Sequence, residues 1–432
     1  MSIRELLDGL ALVDHHCHGV TRHDLDRAGF EALISESGAA PPGLSNFDTP
    51  LGLAIRRHCA PLLDLPPHAP PEDYLARRAE LGVEQVTRRL LGAAHTTAFC
   101  VDTGFRGKSL TTPAELAELA GPVGLAGLAG PVGPAGPVGS VGLAGSVGLA
   151  GSAGSVGRAG SAGGAAVGYE VVRLETVAEA LADAGVEAGE FGRRYAHALA
   201  DTVATSRAVA VKSIAAYRCG LDISPAPPAP ATLATAVEHW LTAGPGPTGF
   251  RVANPVLVSA LIWAAVDLGT PIQFHVGYGD PDITLHRTDP SLLTPFLRAA
   301  PVSVPVLLLH CYPFHREASY LAAVFGQVHL DVGLALNYLG PARCAEVLAE
   351  ALELTPFGKM LYSSDAFGLP EFYALGALVF RRGMAELLDA RVAAGEWAAA
   401  DAERLATAVG VGNAERVYHL EPGPGGAASG RT

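Results

Sequence analysis

Short apolar runs punctuate the chain, each closed by polar residues or glycine. The first is Leu10-Ala11-Leu12-Val13, which leads into Asp14-His15-His16-Cys17-His18. Others follow at residues 97–101, 170–175, 208–212, 271–275, 304–310, 328–332 and 360–365. All have strand length. The stretches between them are longer, with apolar residues near helical spacing. Leu75, Leu81, Val86 and Leu90 are one such set, spaced among Arg77, Arg78, Glu80, Glu84, Arg88 and Arg89, the mark of an amphipathic helix. The pattern also predicts a helix over 176–206, opened by Thr176 and Glu179 as a capping box, and another near 401–418. Strands alternating with helices imply parallel pairing. Eight of them predict an α/β fold of the closed (β/α)8 TIM-barrel kind. A doubly wound open sheet is the alternative, but no glycine-rich phosphate turn follows the first strand.

Two segments break the alternation. Residues 20–92 read as a mostly helical excursion after strand 1, placed as a cap over the mouth of the barrel. Residues 121–164 read as a low-complexity insert. From Gly121 to Gly163 glycine occupies every third position, with Val or Ala always in the third place. Collagen needs abundant proline in both other places, whereas here proline holds only four second places, Pro122, Pro131, Pro134 and Pro137. Such a composition offers too little side chain to offset its ordering entropy, so a disordered surface insert is expected. Residues 1–420 then form one barrel domain, and 421–432, rich in Gly and Pro, a flexible tail.

Composition narrows the partners. The net charge of −13 over 432 residues argues against nucleic acid or an anionic membrane. The six cysteines include no CxxC pair, so neither a zinc knuckle nor a disulfide framework is indicated. The uncharged run 119–157 is broken by glycine and proline, which argues against a membrane helix. Arg4, Glu5 and Asp8 leave no room for a signal peptide before the first strand. A cytoplasmic protein with a small-molecule substrate is expected, with a homo-oligomer left open.

Polar residues mark the strand ends. Residues two apart on a strand share a face, so His16 and His18 should point together with Asp14 below them, half of a metal site. His15 and Cys17 fall on the opposite face and read as packing residues. The fourth strand ends in Lys212, the fifth in His275, the sixth in His310 and the eighth in Asp365. In a (β/α)8 barrel these ends open onto one mouth. Each has an ordinary explanation alone: a core histidine, a helix N-cap, an ion-pair lysine. Together at strand ends they point to one site.

Asp14-x-His16-x-His18 followed by Lys212, His275, His310 and Asp365 resembles the amidohydrolase superfamily. The finer texture is similar to the branch found as the barrel domain of FluG/nodulin-type glutamine-synthetase fusions. The stretches Val211–Arg218, Phe274–Asp280, Leu309–Ala318 and Tyr362–Asp365 with Pro370-Glu371 carry it, and Gly412-Asn413-Ala414 also fits. The Gly-repeat insert departs from the pattern. The resemblance implies a divalent metal, most often zinc, one or two per chain. His16, His18 and Asp365 would hold one ion, and His275 and His310 a second. Lys212 would bridge them as a carboxylated lysine; its alternative is a free ammonium beside a single metal, with His310 acting on substrate.

The expected chemistry is hydrolysis of a C–N bond, with metal-activated water and Asp365 as general base. Arg218 is a candidate carboxylate clamp. Tyr217, Tyr278, Asp280, Asp282, His315 and Arg316 are further loop candidates at the mouth. The family context extends the substrate class to γ-glutamyl amides. A metal-dependent decarboxylase on the same scaffold and a non-catalytic regulatory module are the alternatives.

Overall fold

A computed structural model describes residues 2–105, 109–122 and 164–421. The disordered-insert reading, apart from its two ends, and the flexible-tail reading beyond residue 421 lie outside the described residues. The frame is a parallel sheet whose order follows the chain: β1 (Leu12–Cys17), β2 (Thr96–Asp102), β3 (Val167–Arg173), β4 (Ala210–Ser213), β5 (Ile272–His275), β6 (Val306–Leu309) and β7 (Val328–Leu330). Every neighbouring pair is parallel. The sheet curls into a TIM-like arrangement with helices between successive strands.

The expected eighth strand, 360–365, is not a regular one. Leu361 N donates to Leu330 O at 3.0 Å on one side, and on the other His15 N donates to Tyr362 O and Asp365 N to His16 O, both at 3.1 Å. The segment therefore spans the gap between β7 and β1 without a continuous ladder. Two local causes interrupt it. Ser364 N gives its bond to the Asp14 carboxylate at 2.9 Å, and Asp365 takes a positive φ of 48°, which extended pairing does not accommodate.

Alternation along the strands separates two apolar cores. Phe99 and Val101 join the large core between strands and helices. Ala98 and Cys100 join a smaller one with Val13, Val171, Ala210, Leu307 and Leu309, the packed interior of the curled sheet. Ala414, Val417 and Tyr418 of the last helix, Asn413–Tyr418, belong to that inner core and plug the end where the strands begin.

The first strand departs from strict alternation. Asp14 pairs with Phe99 and Cys17 with Val101, so three steps of β1 match two of β2. This is a β-bulge. Between two outward positions it leaves His15 and His16 both facing the inner side. The expectation that His15 packs outward with Cys17 is thereby overturned: Cys17 sits in the outer core, but His15 bonds to Asp331 and Tyr418. Asp14 likewise does not lie below His16; its carboxylate is engaged by Ser364.

The excursion over 20–92 contains the helices Arg27–Leu33, Pro50–His58, Pro71–Leu81 and Val83–Ala94, the last running on to residue 94. The single helix expected over 176–206 is two, Leu174–Asp183 and Phe191–Ser206. Gly185, at φ 73°, turns the chain between them as only glycine does readily. The first of these helices begins before Thr176, so the capping box does not form. Glu179 instead accepts from Val252 N at 3.0 Å and pairs with Arg218. Among the described residues no helix is long and apolar enough to cross a membrane.

Candidate metal centre

β1 ends at Cys17, and His18 follows it at once. His16 and His18 lie ring to ring, centroids 5.1 Å apart. Their Nδ1 atoms point away from the site: His16 Nδ1 faces Gln273 Oε1 at 2.9 Å and His18 Nδ1 faces Asp102 O at 3.0 Å. Both partners are acceptors, so each imidazole keeps its proton on Nδ1. The Nε2 lone pairs then look toward Asp365 Oδ1, at 3.2 Å from His16 and 3.5 Å from His18. Lys212 Nζ is a donor 2.9 Å from His16 Nε2, but the His18 lone pair and the buried, unbonded Oδ1 still face one another, an arrangement that a cation among the three would relieve. The three donor atoms fall within 4.8 Å of one another. This set fits a divalent ion with nitrogen and oxygen ligands.

The electrostatics agree. Burial, with Lys212 close by, pushes the His16 imidazole down to about 3, so its lone pair is available at neutral pH. Burial acts on His310 in the same direction, to about 4. Burial alone would raise the Asp365 carboxyl, but the His310, His16 and His18 imidazoles around it outweigh burial and hold it well below the usual carboxylate range.

Lys212, from β4, is buried with Nζ 2.9 Å from His16 Nε2. Burial lowers its pKa against the pull of Asp102 and Asp365. His310 follows β6 with a positive φ of 71°. Its Nδ1 lies 3.6 Å from Asp365 Oδ2, and neither ring nitrogen has a hydrogen-bond partner. His275 ends β5, its ring 4.7 Å from that of His310. Its Nε2 bonds to Tyr278 O at 3.0 Å and its Nδ1 faces the Tyr217 hydroxyl at 3.4 Å. His275 and His310 thus neighbour the His16–His18–Asp365 group, with His275 turned toward Tyr217 and Tyr278.

Above the group opens a cavity of about 300 Å³. His18, Lys212, His275, His310 and Asp365 reach it, as do Tyr217, Arg218, Asp280 and Asp282. Tyr278 meets the site through its carbonyl. His315 and Arg316 pair with Glu350 and do not line this cavity. Arg218 donates from Nη2 to Glu179 at 3.1 Å, while its Nε and Nη1 are buried without partners. Such a half-satisfied guanidinium suits an acidic ligand group.

Sequence reasoning passed over several residues that the fold brings here. Glu36, from the excursion, and Arg173, from β3, both line the cavity. Arg173 pairs with buried Asp102 at 2.6 Å. Gln273 supports His16. Asp331 accepts from His310 N at 2.9 Å and Gly333 N at 2.7 Å. Gln273 and Asp331 carried a readable signal, each being a polar residue in or just after an apolar strand. Glu36 carried none.

The sequence profile of the family described as Amidohydrolase matches residues 167–420, more than half of the chain. Protein fluG of Emericella nidulans is 29% identical over 252 residues, 55% of this chain but only 29% of fluG's own length. Among solved structures, a protein from Lactobacillus casei, provisionally described as a metal-dependent hydrolase, superposes with a TM-score of 0.74 at 25% identity, covering 97% of both chains. A uronate isomerase from Bacillus halodurans superposes at 0.61 with 13% identity over 97% of this chain and 96% of its own, a likeness of fold alone.

Proposed function

This chain belongs to the amidohydrolase family, and we propose that it hydrolyses a C–N bond in a small polar amide, using a divalent cation held by His16, His18 and Asp365. The observation that carries the proposal is the pair of Nε2 lone pairs turned on Asp365 Oδ1. A cation bound there supplies Lewis-acid chemistry, making water more acidic and polarising a carbonyl. The residues around it do the rest. Asp365, ionised at neutral pH, receives the proton of the attacking water and passes it to the leaving nitrogen. His310, neutral and unpartnered, stands where it can hydrogen-bond the substrate carbonyl or the departing group. Arg218, with hydrogen-bonding capacity left over from Glu179, would pair with a substrate carboxylate, which fits a γ-glutamyl amide among other acidic amides. Tyr217 and Asp280 complete the polar wall, and Tyr278 reaches it through its carbonyl.

Lys212 joins this reading as a carboxylated lysine. Its lowered pKa supports the neutral amine that must react with carbon dioxide, and the carbamate would add an anionic ligand beside His16. A second cation, on His275 and His310, requires His275 to leave the Tyr278 carbonyl. The present bond therefore favours one ion, and a single-ion centre keeps decarboxylation as a second reading. We read the ring as a (β/α)8 barrel with 360–365 as its eighth stave, and the protein as cytoplasmic.

Metal per chain, measured by mass spectrometry on protein purified without chelator, tests the proposal beside Lys212→Ala. About one zinc-class ion lost in His16→Ala supports it. Two ions that fall sharply in Lys212→Ala support the bridged form. No ion after reconstitution would leave a binding module.

A further inference from the structure

Below the candidate cation site lies a buried polar chain that the proposed reaction does not use. Tyr418, on the last helix, places its hydroxyl 2.9 Å from both His15 Nδ1 and Gln273 Nε2. Gln273 Nε2 is also 3.0 Å from the backbone oxygen of His15, and its Oε1 is 2.9 Å from His16 Nδ1. His15 Nε2 lies 2.9 Å from Asp331 Oδ2. Gln273 is fully buried and Tyr418 is 3% exposed, so water does not substitute for any of these partners.

The direction of every bond follows from two groups that can only accept. A backbone carbonyl has no proton to give, so the edge of Gln273 facing His15 O is its amide nitrogen. The Gln273 oxygen then faces His16. An amide oxygen only accepts, so His16 Nδ1 carries the proton. The second Gln273 N–H goes to the Tyr418 oxygen. The Tyr418 proton is thereby committed to His15 Nδ1, and His15 Nε2 donates to Asp331. Each contact has one donor and one acceptor. Turning the Gln273 amide over would set its oxygen against the His15 carbonyl, two acceptors face to face.

We propose that Gln273 and Tyr418 are positioning residues for the cation site: they fix His16 as the Nδ1–H tautomer, so that Nε2 presents its lone pair beside Asp365. The inference rests on the reading of His16 as a cation ligand. The opposite tautomer would point a proton into the centre. The β1 bulge is what makes the arrangement possible, since it turns His15 inward to receive Tyr418 while His16 faces the site. Tyr418 thus ties the last helix to the first strand through the groups under the ligand.

The experiment uses the full chain and three variants: Gln273→Met, Gln273→Glu and Tyr418→Phe. Cobalt(II) affinity is read by chelator competition, with its visible absorption as the geometric signature. Long-range 1H–15N spectra of the metal-free wild type give the histidine tautomers directly. His16 is expected as Nδ1–H. Gln273→Met should weaken cobalt binding by about 10- to 100-fold, the usual effect of losing a partner behind a ligand. Gln273→Glu keeps an acceptor for Nδ1 and should recover most of that loss. Tyr418→Phe should weaken binding several-fold and leave His15 as a mixture of tautomers. A wild-type His16 with its proton on Nε2, or a folded Gln273→Met that binds cobalt within about twofold of wild type, overturns the proposal. If Gln273→Met does not fold, the wild-type spectrum still decides. A wild type that binds no cobalt while His16 is Nδ1–H overturns the cation reading instead, with the tautomer assignment left standing.

Discussion

The Tyr338 hydroxyl donates to Glu36 Oε1 at 2.9 Å, joining the loop after helix Arg27–Leu33 to helix Gly333–Leu339. Burial pushes the Glu36 carboxyl up to about 7, against the lowering effect of that bond. The folded value lies above the ordinary unfolded one, so the fold favours the protonated acid. Stability from this group is therefore complete below the usual carboxylate range and is lost as pH rises through about 7. Glu36→Gln keeps an acceptor for Tyr338 and removes the half-buried charge. Thermal melts should show a higher Tm for the variant at pH 8 and no difference at pH 4.

Asp365→Asn preserves shape but removes both the proposed anionic ligand and the proposed proton acceptor. The expected loss in kcat/KM for a responsive amide is about 10³-fold or more, the range of general-base effects, with metal content reduced. Kinetics and metal analysis on the same preparation check both parts. Unchanged turnover would exclude Asp365 from the reaction.

Arg218→Lys keeps the charge and loses the fork of donors. A compact ammonium does not replace a planar guanidinium at a carboxylate contact of the kind proposed. KM should rise about tenfold or more for amides bearing a carboxylate, with little change in kcat, and the neutral analogue should be indifferent. Steady-state kinetics on the matched pair of substrates distinguishes this from a general loss of folding, which would affect both.

The two described ends of the repeat insert meet. Pro122 and Ala165 form an antiparallel bridge, and Ala166 N donates to Gly121 O at 3.4 Å. Deleting 123–163 and joining the ends should leave the fold and metal content unchanged. Loop-closure entropy changes by only about 0.6 kcal/mol per doubling of length, so Tm should stay level or rise by a few degrees. A large fall in Tm would show that the insert is structural.

Much of the frame was legible because strand cores are local signals. Val306–Leu309 or Ile272–His275 needs no knowledge of its neighbours to read as buried and extended, and the histidine at or just after each end marks the mouth. The break at Gly185 was also visible, though helical spacing on either side masked it. What could not be read depends on pairing across the chain. The bulge in β1 exists only relative to β2, so the side-chain directions of His15 and Asp14 were assigned from alternation and came out reversed. Glu36 and Tyr338 stand 302 residues apart, and Tyr418 stands 403 from His15. Neither partner announces the other in sequence.

The bulge in β1 also sets a parity. A strand ordinarily deals its residues alternately to two sides, so neighbours never share a task. One supernumerary residue lets two consecutive histidines face the same interior at different depths, the lower as a foundation and the upper turned toward the candidate site. Removing any single residue between Asp14 and Cys17 would restore the alternate deal and leave one histidine for two posts. Substitution of either histidine tests its own role; a one-residue deletion here tests the phase that gives each histidine its place.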